Sequence, residues 1–192
     1  MGRSMINRLL NRFFAAAVLL LAAAAAPAQK RALVAVPDLP GYKTLKCDFH
    51  MHTVFSDGEV WPTTRVMEAW RDGLDAISIT DHDDYHPHKE DVSVNLARVY
   101  QIARPAAEQA GILLVPGVEI TKGDIHFNAL FVTDANAFTG LDLTSALTAA
   151  KKQGAFLFWN HPGWRGPTVW QPVIEAAHKD GMVHGVELVN GR

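Results

Sequence analysis

The sequence predicts a single α/β domain built on a mostly parallel sheet. Three observations lead there. Short apolar runs of strand length alternate with longer segments whose apolar residues recur at helical spacing. Pro and Gly stand where helices would open and stop. The 192 residues, 48% hydrophobic and 20% charged, are ordinary for one globular domain.

The elements follow in order. Residues 29–45 hold Pro37, Pro40 and Gly41 without a clear period, so they read as an entry segment. A first strand spans 46–52. Side chains alternate along a strand, which puts Asp48, His50 and His52 on one face and Cys47, Phe49 and Met51 on the other. Cys47 is therefore expected as a core filler. Pro62 opens a helix to Arg71, with Val66, Ala69 and Trp70 at helical spacing and Gly73 after it. A second strand, 75–81, sets Ile77 and Ile79 against Ser78, Thr80 and His82. Residues 92–110 are expected to be mostly helical, kinked or split at Pro105. Strands at 113–119 and 125–132 are too close for a crossover helix, so this pair departs from strict alternation. A helix at 143–153 ends at Gly154, a strand covers 155–160, a helix 169–178, and a sixth strand begins at Gly185 and runs to 189.

Residues 1–28 have the layout of a secretory signal peptide. Arg3, Arg8 and Arg12 precede an apolar run from Phe13 to Ala26, and Ala26-Pro27-Ala28 supplies small residues for cleavage. The run is short for a bilayer span. The expectation is export, to the periplasm or beyond, with no stable membrane span after cleavage. The leader takes three of the 18 basic residues and none of the 20 acidic ones, leaving an acidic remainder. No basic stripe points to a nucleic acid partner. Cys47 is the one cysteine, so no internal disulfide can form.

Chemistry-bearing residues gather at the strand ends. His50 and His52 close the first strand, and Thr80-Asp81-His82-Asp83 closes the second. Pro116-Gly117-Val118-Glu119 ends the third, His126 starts the fourth, Asn160-His161-Pro162 ends the fifth, and Glu187 lies on the sixth. In parallel barrels the C-terminal strand ends form the active face. His126 sits at the start of its segment, so that strand is expected to run against the others. Two imidazoles two residues apart on a rigid strand can share one metal ion.

The set resembles the PHP (polymerase and histidinol phosphatase) superfamily of metal-dependent phosphoesterases. The matching stretches are Asp48-Phe49-His50-Met51-His52-Thr53 with Ser56-Asp57-Gly58, Ile79-Thr80-Asp81-His82, Pro116-Gly117-Val118-Glu119, His126, and Asn160-His161-Pro162. The resemblance implies a distorted (β/α)7 TIM-like barrel over residues 46–192. It implies two or three divalent ions: His50 and His52 on the first, Glu119 bridging to a second completed by His126 and His161, and Asp57 with His82 on a third. Asp48 and Asp81 would orient imidazoles or ligate weakly, and with Glu119 they are the carboxylates assigned to catalysis. The family's final Asp-x-His motif is missing before Gly191-Arg192, so an incomplete barrel is expected.

Imidazole and carboxylate ligands suit zinc, manganese or iron. Such ions acidify water and neutralise phosphoryl oxygens, so no side-chain nucleophile is needed, and neither a Gly-x-Ser-x-Gly elbow nor a P-loop is present. Lys122 and Arg165 are candidates for a phosphate oxygen, and His86 and His88 for substrate contact from a loop. Trp164 is placed to stack on a substrate ring. The leading expectation is hydrolysis of a small phosphorylated substrate, a mono- or diester. A metal-dependent amidohydrolase and a non-catalytic metal- or phosphate-binding module are the competing readings.

Overall fold

A computed structural model of the protein describes residues 29–190 apart from Arg165 and Pro167. The leader read at 1–28 lies outside the described residues. The described chain from Arg31 onward forms one compact unit.

Strand β1 (Cys47–Met51) pairs in parallel with β2 (Ala76–Ile79), and β2 pairs in parallel with β3 (Leu113–Leu114). Between them lie helices α1 (Pro62–Arg71) and α2 (Ala97–Ala110). Their apolar faces, Val66 and Ala69 from α1 and Val99, Ala103 and Ala107 from α2, form one core with Ile77 and Ile79. Pro62 stands at the first turn of α1, where its missing N–H costs nothing, and Gly111 at φ 68° ends α2. Pro105 does not split α2. Pro105 and Gln101, whose carbonyl loses its helical donor, are both exposed, so water can take the freed oxygen.

A second sheet holds β4 (Gly117–Lys122), β5 (Ile125–Leu130), β6 (Phe156–Trp159) and β7 (Gly185–Val186). As expected from His126, β5 runs antiparallel to both β4 and β6, while β6 and β7 are parallel. Helices α3 (Leu143–Lys152) and α4 (Pro172–Lys179) cover it. Asp142 caps α3 by accepting the Ser145 N–H at 2.9 Å, and Lys151 and Lys152 sit at its negative end. α4 starts later than the apolar period suggested, because Pro172 fixes the first helical turn.

Three expectations are corrected here. The strand read at 113–119 is two strands, since Pro116 has no N–H for a ladder and interrupts it. No closed barrel is found among the described residues. Contacts between the two sheets include one isolated bridge, His82 to Glu119, and Asn128 Nδ2 donating to the Phe49 carbonyl at 2.9 Å. Cys47 is exposed rather than in the core. β2, not β1, is the strand buried along its whole length, and the β1 ladder slips register between Asp48 and Met51. Among the described residues no helix is long and apolar enough to cross a membrane.

Candidate metal centre

The bridge between the sheets sets the centre. Glu119 N–H donates to the Asp81 carbonyl (3.1 Å) and Asp83 N–H to the Glu119 carbonyl (3.0 Å), so β4 runs parallel beside the continuation of β2. Parallel strands β1 and β2 deliver His50, His52 and His82 at or just beyond their C-terminal ends, and β6 delivers His161 the same way. Because β5 is antiparallel, its beginning lies at that same end, and His126 joins the group.

Glu119 is wholly buried, and five imidazoles surround its carboxylate. His50 Nε2 lies 3.5 Å and His161 Nε2 3.5 Å from Oε1, His126 Nδ1 3.1 Å from Oε1, His52 Nε2 3.3 Å from Oε2, and His82 Nδ1 2.9 Å from Oε2. Asn160 Nδ2 donates to Oε1 at 2.7 Å. Oε2 has no hydrogen-bond partner among the described residues. His82 Nδ1 is close to it but is directed instead at Thr121 Oγ1, 2.6 Å away.

Surrounding groups decide which ring nitrogens face Glu119. Asp81 is buried and takes three donors: Thr53 N–H at 2.7 Å, Thr53 Oγ1 at 2.6 Å and Ser56 Oγ at 2.6 Å. Ser56 spends its proton on Asp81, so its oxygen accepts Nδ1–H of His52 at 3.3 Å, and the lone pair of His52 is left on Nε2. The Glu187 carboxylate likewise holds Nδ1–H of His50 at 3.0 Å and leaves its Nε2 facing Glu119. His126 stands between two acceptors, Glu119 Oε1 at 3.1 Å from Nδ1 and the Gly123 carbonyl at 3.3 Å from Nε2, and a neutral ring can donate to one of them only. The lone pair of neutral His52 therefore faces the unpartnered Oε2 of Glu119 across 3.3 Å. Two acceptors at that separation want a cation between them. Adjacent ligand atoms on a tetrahedral ion with bonds of about 2.1 Å stand roughly 3.4 Å apart.

Three groups offer ligand atoms within 4.8 Å of one another: His50, His52 and Glu119; His52, Asp57 and His82; His82, Glu119 and His126. The first is the first-ion set read from the sequence. The second contains the expected Asp57–His82 pair, with Asp57 Oδ1 3.5 Å from His82 Nε2 and 3.6 Å from His52 Nδ1. In the third, His82 takes the place expected for His161, which stands by Glu119 outside these close groups.

The electrostatics follow from this crowding. Burial would raise the Glu119 carboxyl, but His126, His161, His50 and His82 outweigh it and drive it far below the usual carboxylate range. Burial pulls His50 down, yet Glu119 and Glu187 together lift it to about 9. Burial dominates at His52 and lowers it to about 3. A neutral His52 beside an ionised Glu119 is the protonation that metal ligation requires.

The turn Ser56-Asp57-Gly58 holds Asp57 in place. Ser56 and Gly58 both donate N–H to the Thr53 carbonyl at 3.0 Å. A Cβ on Gly58 would lie 2.4 Å from the His52 carbonyl carbon, so only glycine lets the turn sit on that strand end. Arg65 Nε donates to the His52 carbonyl at 2.8 Å and fixes it from the other side.

A cavity of about 410 Å³ opens onto the cluster. His50, His52, Asp57, His82, Glu119, His126 and His161 all line it, with Asp48, Trp164 and Glu187. Other predicted site residues are elsewhere. Asp81 acts from behind, through Ser56. Lys122 is not on the cavity wall; its Nζ pairs with the buried Asp83 at 2.6 Å, which the sequence did not indicate. His86 gives Nδ1–H to the Phe55 carbonyl at 2.9 Å and His88 is exposed, so neither lines the cavity. Arg165 lies outside the described residues. Glu187 and Asn160 are site residues that received no role from the sequence; a carboxylate on the last strand, at the level of the other ligands, was the available signal for Glu187.

No protein-family model matches the chain. Among solved structures it is similar to a two-domain protein from Bacteroides vulgatus containing a predicted PHP-like metal-dependent phosphoesterase, with 54% identity and a TM-score of 0.82 over 85% of this chain and 50% of that one. A candidate metal-dependent phosphoesterase from Bifidobacterium adolescentis shares the fold at 18% identity, with a TM-score of 0.56, over 76% of this chain and 77% of that one. The 5'-3' exoribonuclease of Haemophilus influenzae is 35% identical over 78 residues, which is 41% of this chain and 24% of that protein. The chain thus spans half of the Bacteroides protein and about a quarter of the Haemophilus one.

Proposed function

We infer that this chain, PHP-like in sequence and fold, is a metal-dependent phosphoesterase that hydrolyses a phosphate mono- or diester with water. The observation that carries the reading is Glu119: a buried carboxylate with one unpartnered oxygen, ringed by imidazole nitrogens at ligand-to-ligand separation. In this reading His50, His52 and Glu119 hold a first ion. Glu119 would be shared with a second, completed by His126 and His161, and Asp57 with His82 would hold a third. Zinc, manganese and iron all suit these ligands. Ions bound there supply an acidified water and positive charge against the phosphoryl oxygens.

The chain's own residues supply the rest. Asp81 and Ser56 fix the tautomer of His52, and Asn160 fixes Glu119 through Oε1. Asp48, an exposed carboxylate on the cavity wall, is assigned the outer position, where it can take a proton from the attacking water. Trp164 forms the adjoining wall, its ring 5.4 Å from His161 and 5.7 Å from His126, and would lie against the leaving group. Export is part of the same reading, on the strength of residues 1–28.

Purified chain loaded separately with Zn²⁺, Mn²⁺ or Fe²⁺ should cleave p-nitrophenyl phosphate or its bis ester and lose that activity in EDTA. Cleavage of amides alone would move the assignment to an amidohydrolase. Bound metal without any turnover would leave a binding module.

A further inference from the structure

We propose that Glu187 is a positioning residue for the metal centre, its carboxylate holding the His50 ring and the His161 backbone in the poses that ion binding needs while touching no ion itself. The inference rests on the metal reading above and assigns a role that the ligand set leaves open.

Glu187 is itself well anchored. It follows β7, and its N–H donates to the Trp159 carbonyl of β6 at 2.8 Å. From that fixed point the two oxygens divide. Oε1 takes His50 Nδ1–H at 3.0 Å, and Oε2 takes the His161 backbone N–H at 2.8 Å. Asn190 Nδ2 adds a third donor to Oε1 at 3.1 Å. Strands β1 and β7 belong to different sheets, with no shared ladder among the described residues. One carboxylate therefore ties the exits of β1 and β6 to that of β7.

Each bond has a separate consequence. A carboxylate can only accept, so the proton of a neutral His50 stays on Nδ1 and the lone pair stays on Nε2, 3.5 Å from Glu119 Oε1. The torsion about the His ring bond is broad and nearly two-fold, so without Glu187 the ring could flip and present the wrong nitrogen. At His161 the backbone sits at φ 28°, an uncommon conformation for a residue with a Cβ. The bond to Oε2 is made in that conformation, and the same turn stacks the His161 ring on His50 with centroids 5.5 Å apart. Both oxygens are already engaged by protein donors, which favours an orienting role over direct ligation. A carboxylate behind a ligating imidazole typically changes metal affinity by about 10–100-fold when removed.

The test is metal titration of the full chain against a chelating indicator, with Zn²⁺ as probe, for wild type, His50→Ala, Glu187→Ala and Glu187→Gln. Glu187→Ala should keep the wild-type number of ions at saturation but bind one of them about 10–100-fold more weakly. Glu187→Gln should lose less, because its amide oxygen still accepts from His50 while its NH2 cannot accept from His161. Melting of the metal-free variants identifies folded protein, and a purely structural role would lower that melting point with affinity unchanged. Wild-type affinity in both Glu187 variants overturns the proposal. So does a lost equivalent at saturation in Glu187→Ala, the behaviour expected of His50→Ala, since Glu187 would then be a ligand. If wild type binds no Zn²⁺, the metal reading and this proposal fall together; if only the Glu187 variants behave as wild type, the proposal alone falls.

Discussion

Replacing Gly58 by Ala tests whether the loop that carries Asp57 is held by contact with the β1 exit. The added Cβ would lie 2.4 Å from the His52 carbonyl carbon, 2.5 Å from its oxygen and 2.6 Å from the Thr53 nitrogen. All three are backbone atoms of the strand end that carries a ligand. Ordinary contact begins near 3.4 Å, so the turn must withdraw by about 1 Å. Overpacking of this kind costs about 1–3 kcal/mol. For a chain of this length each kcal/mol lowers the melting temperature by about 2–4 °C. The same withdrawal carries Asp57 Oδ1 away from His82 Nε2, now 3.5 Å distant, and from His52 Nδ1, now 3.6 Å distant. Calorimetry should therefore show a lower melting temperature, and elemental analysis should show partial loss of one ion with the others retained. Gly123→Ala is the contrast: at φ 65°, which Gly58 does not share, it brings left-handed backbone strain without contact, because its Cβ would meet nothing within 4 Å, so it should leave the Asp57 ion in place. A Gly58→Ala protein with wild-type melting temperature and metal content would refute the contact argument.

Other outcomes follow from the same geometry. His50→Ala and His161→Ala should each reduce bound metal in elemental analysis, and unchanged stoichiometry would reject their ligand roles. Lys122→Met strands the buried Asp83 carboxylate and should cost about 3–5 kcal/mol in urea unfolding without changing metal content; restoration by Asp83→Asn in the same chain would confirm the pair. EDTA should lower the melting temperature by removing ions that bind only the folded state; no shift would contradict a metal-stabilised fold. In the metal-free protein His50 is raised from its ordinary 6.5 to about 9, so its contribution to stability is full below pH 6.5 and is lost as pH rises through about 9. His52, lowered to about 3, is neutral in both folded and unfolded chains across most of that window and does not oppose the trend. Melting of the EDTA-treated protein should fall from pH 6.5 to 9, while metal affinity rises as the His50 proton leaves.

Much of the centre was legible because it is built from periodicity and chain direction. Alternation on β1 put His50 and His52 on one face, and the short link between 113–119 and 125–132 implied the reversal that brings His126 to the ligand end. What sequence could not reach were pairings between distant elements. Lys122 follows Glu119 closely and looked like a phosphate contact, but an unforeseen buried partner, Asp83, claims it. Cys47 was expected in the core and is exposed, since periodicity says which way a side chain points and not whether anything covers it. Pro116 broke a strand whose apolar run looked continuous. Glu187 was visible as a carboxylate on the last strand, yet its bond to His50 joins residues 137 positions apart, which no local pattern encodes.

The central claim is that Glu119 is shared by divalent ions rather than paired with protonated imidazoles. Anomalous diffraction from crystals grown with Zn²⁺ or Mn²⁺ measures this directly. The account predicts at least two peaks at coordination distance, with Glu119 oxygens and at least two of His50, His52, His126 and His161 among their ligands. A fully loaded crystal with no peak beside Glu119, its carboxylate held only by imidazole N–H groups, would contradict it.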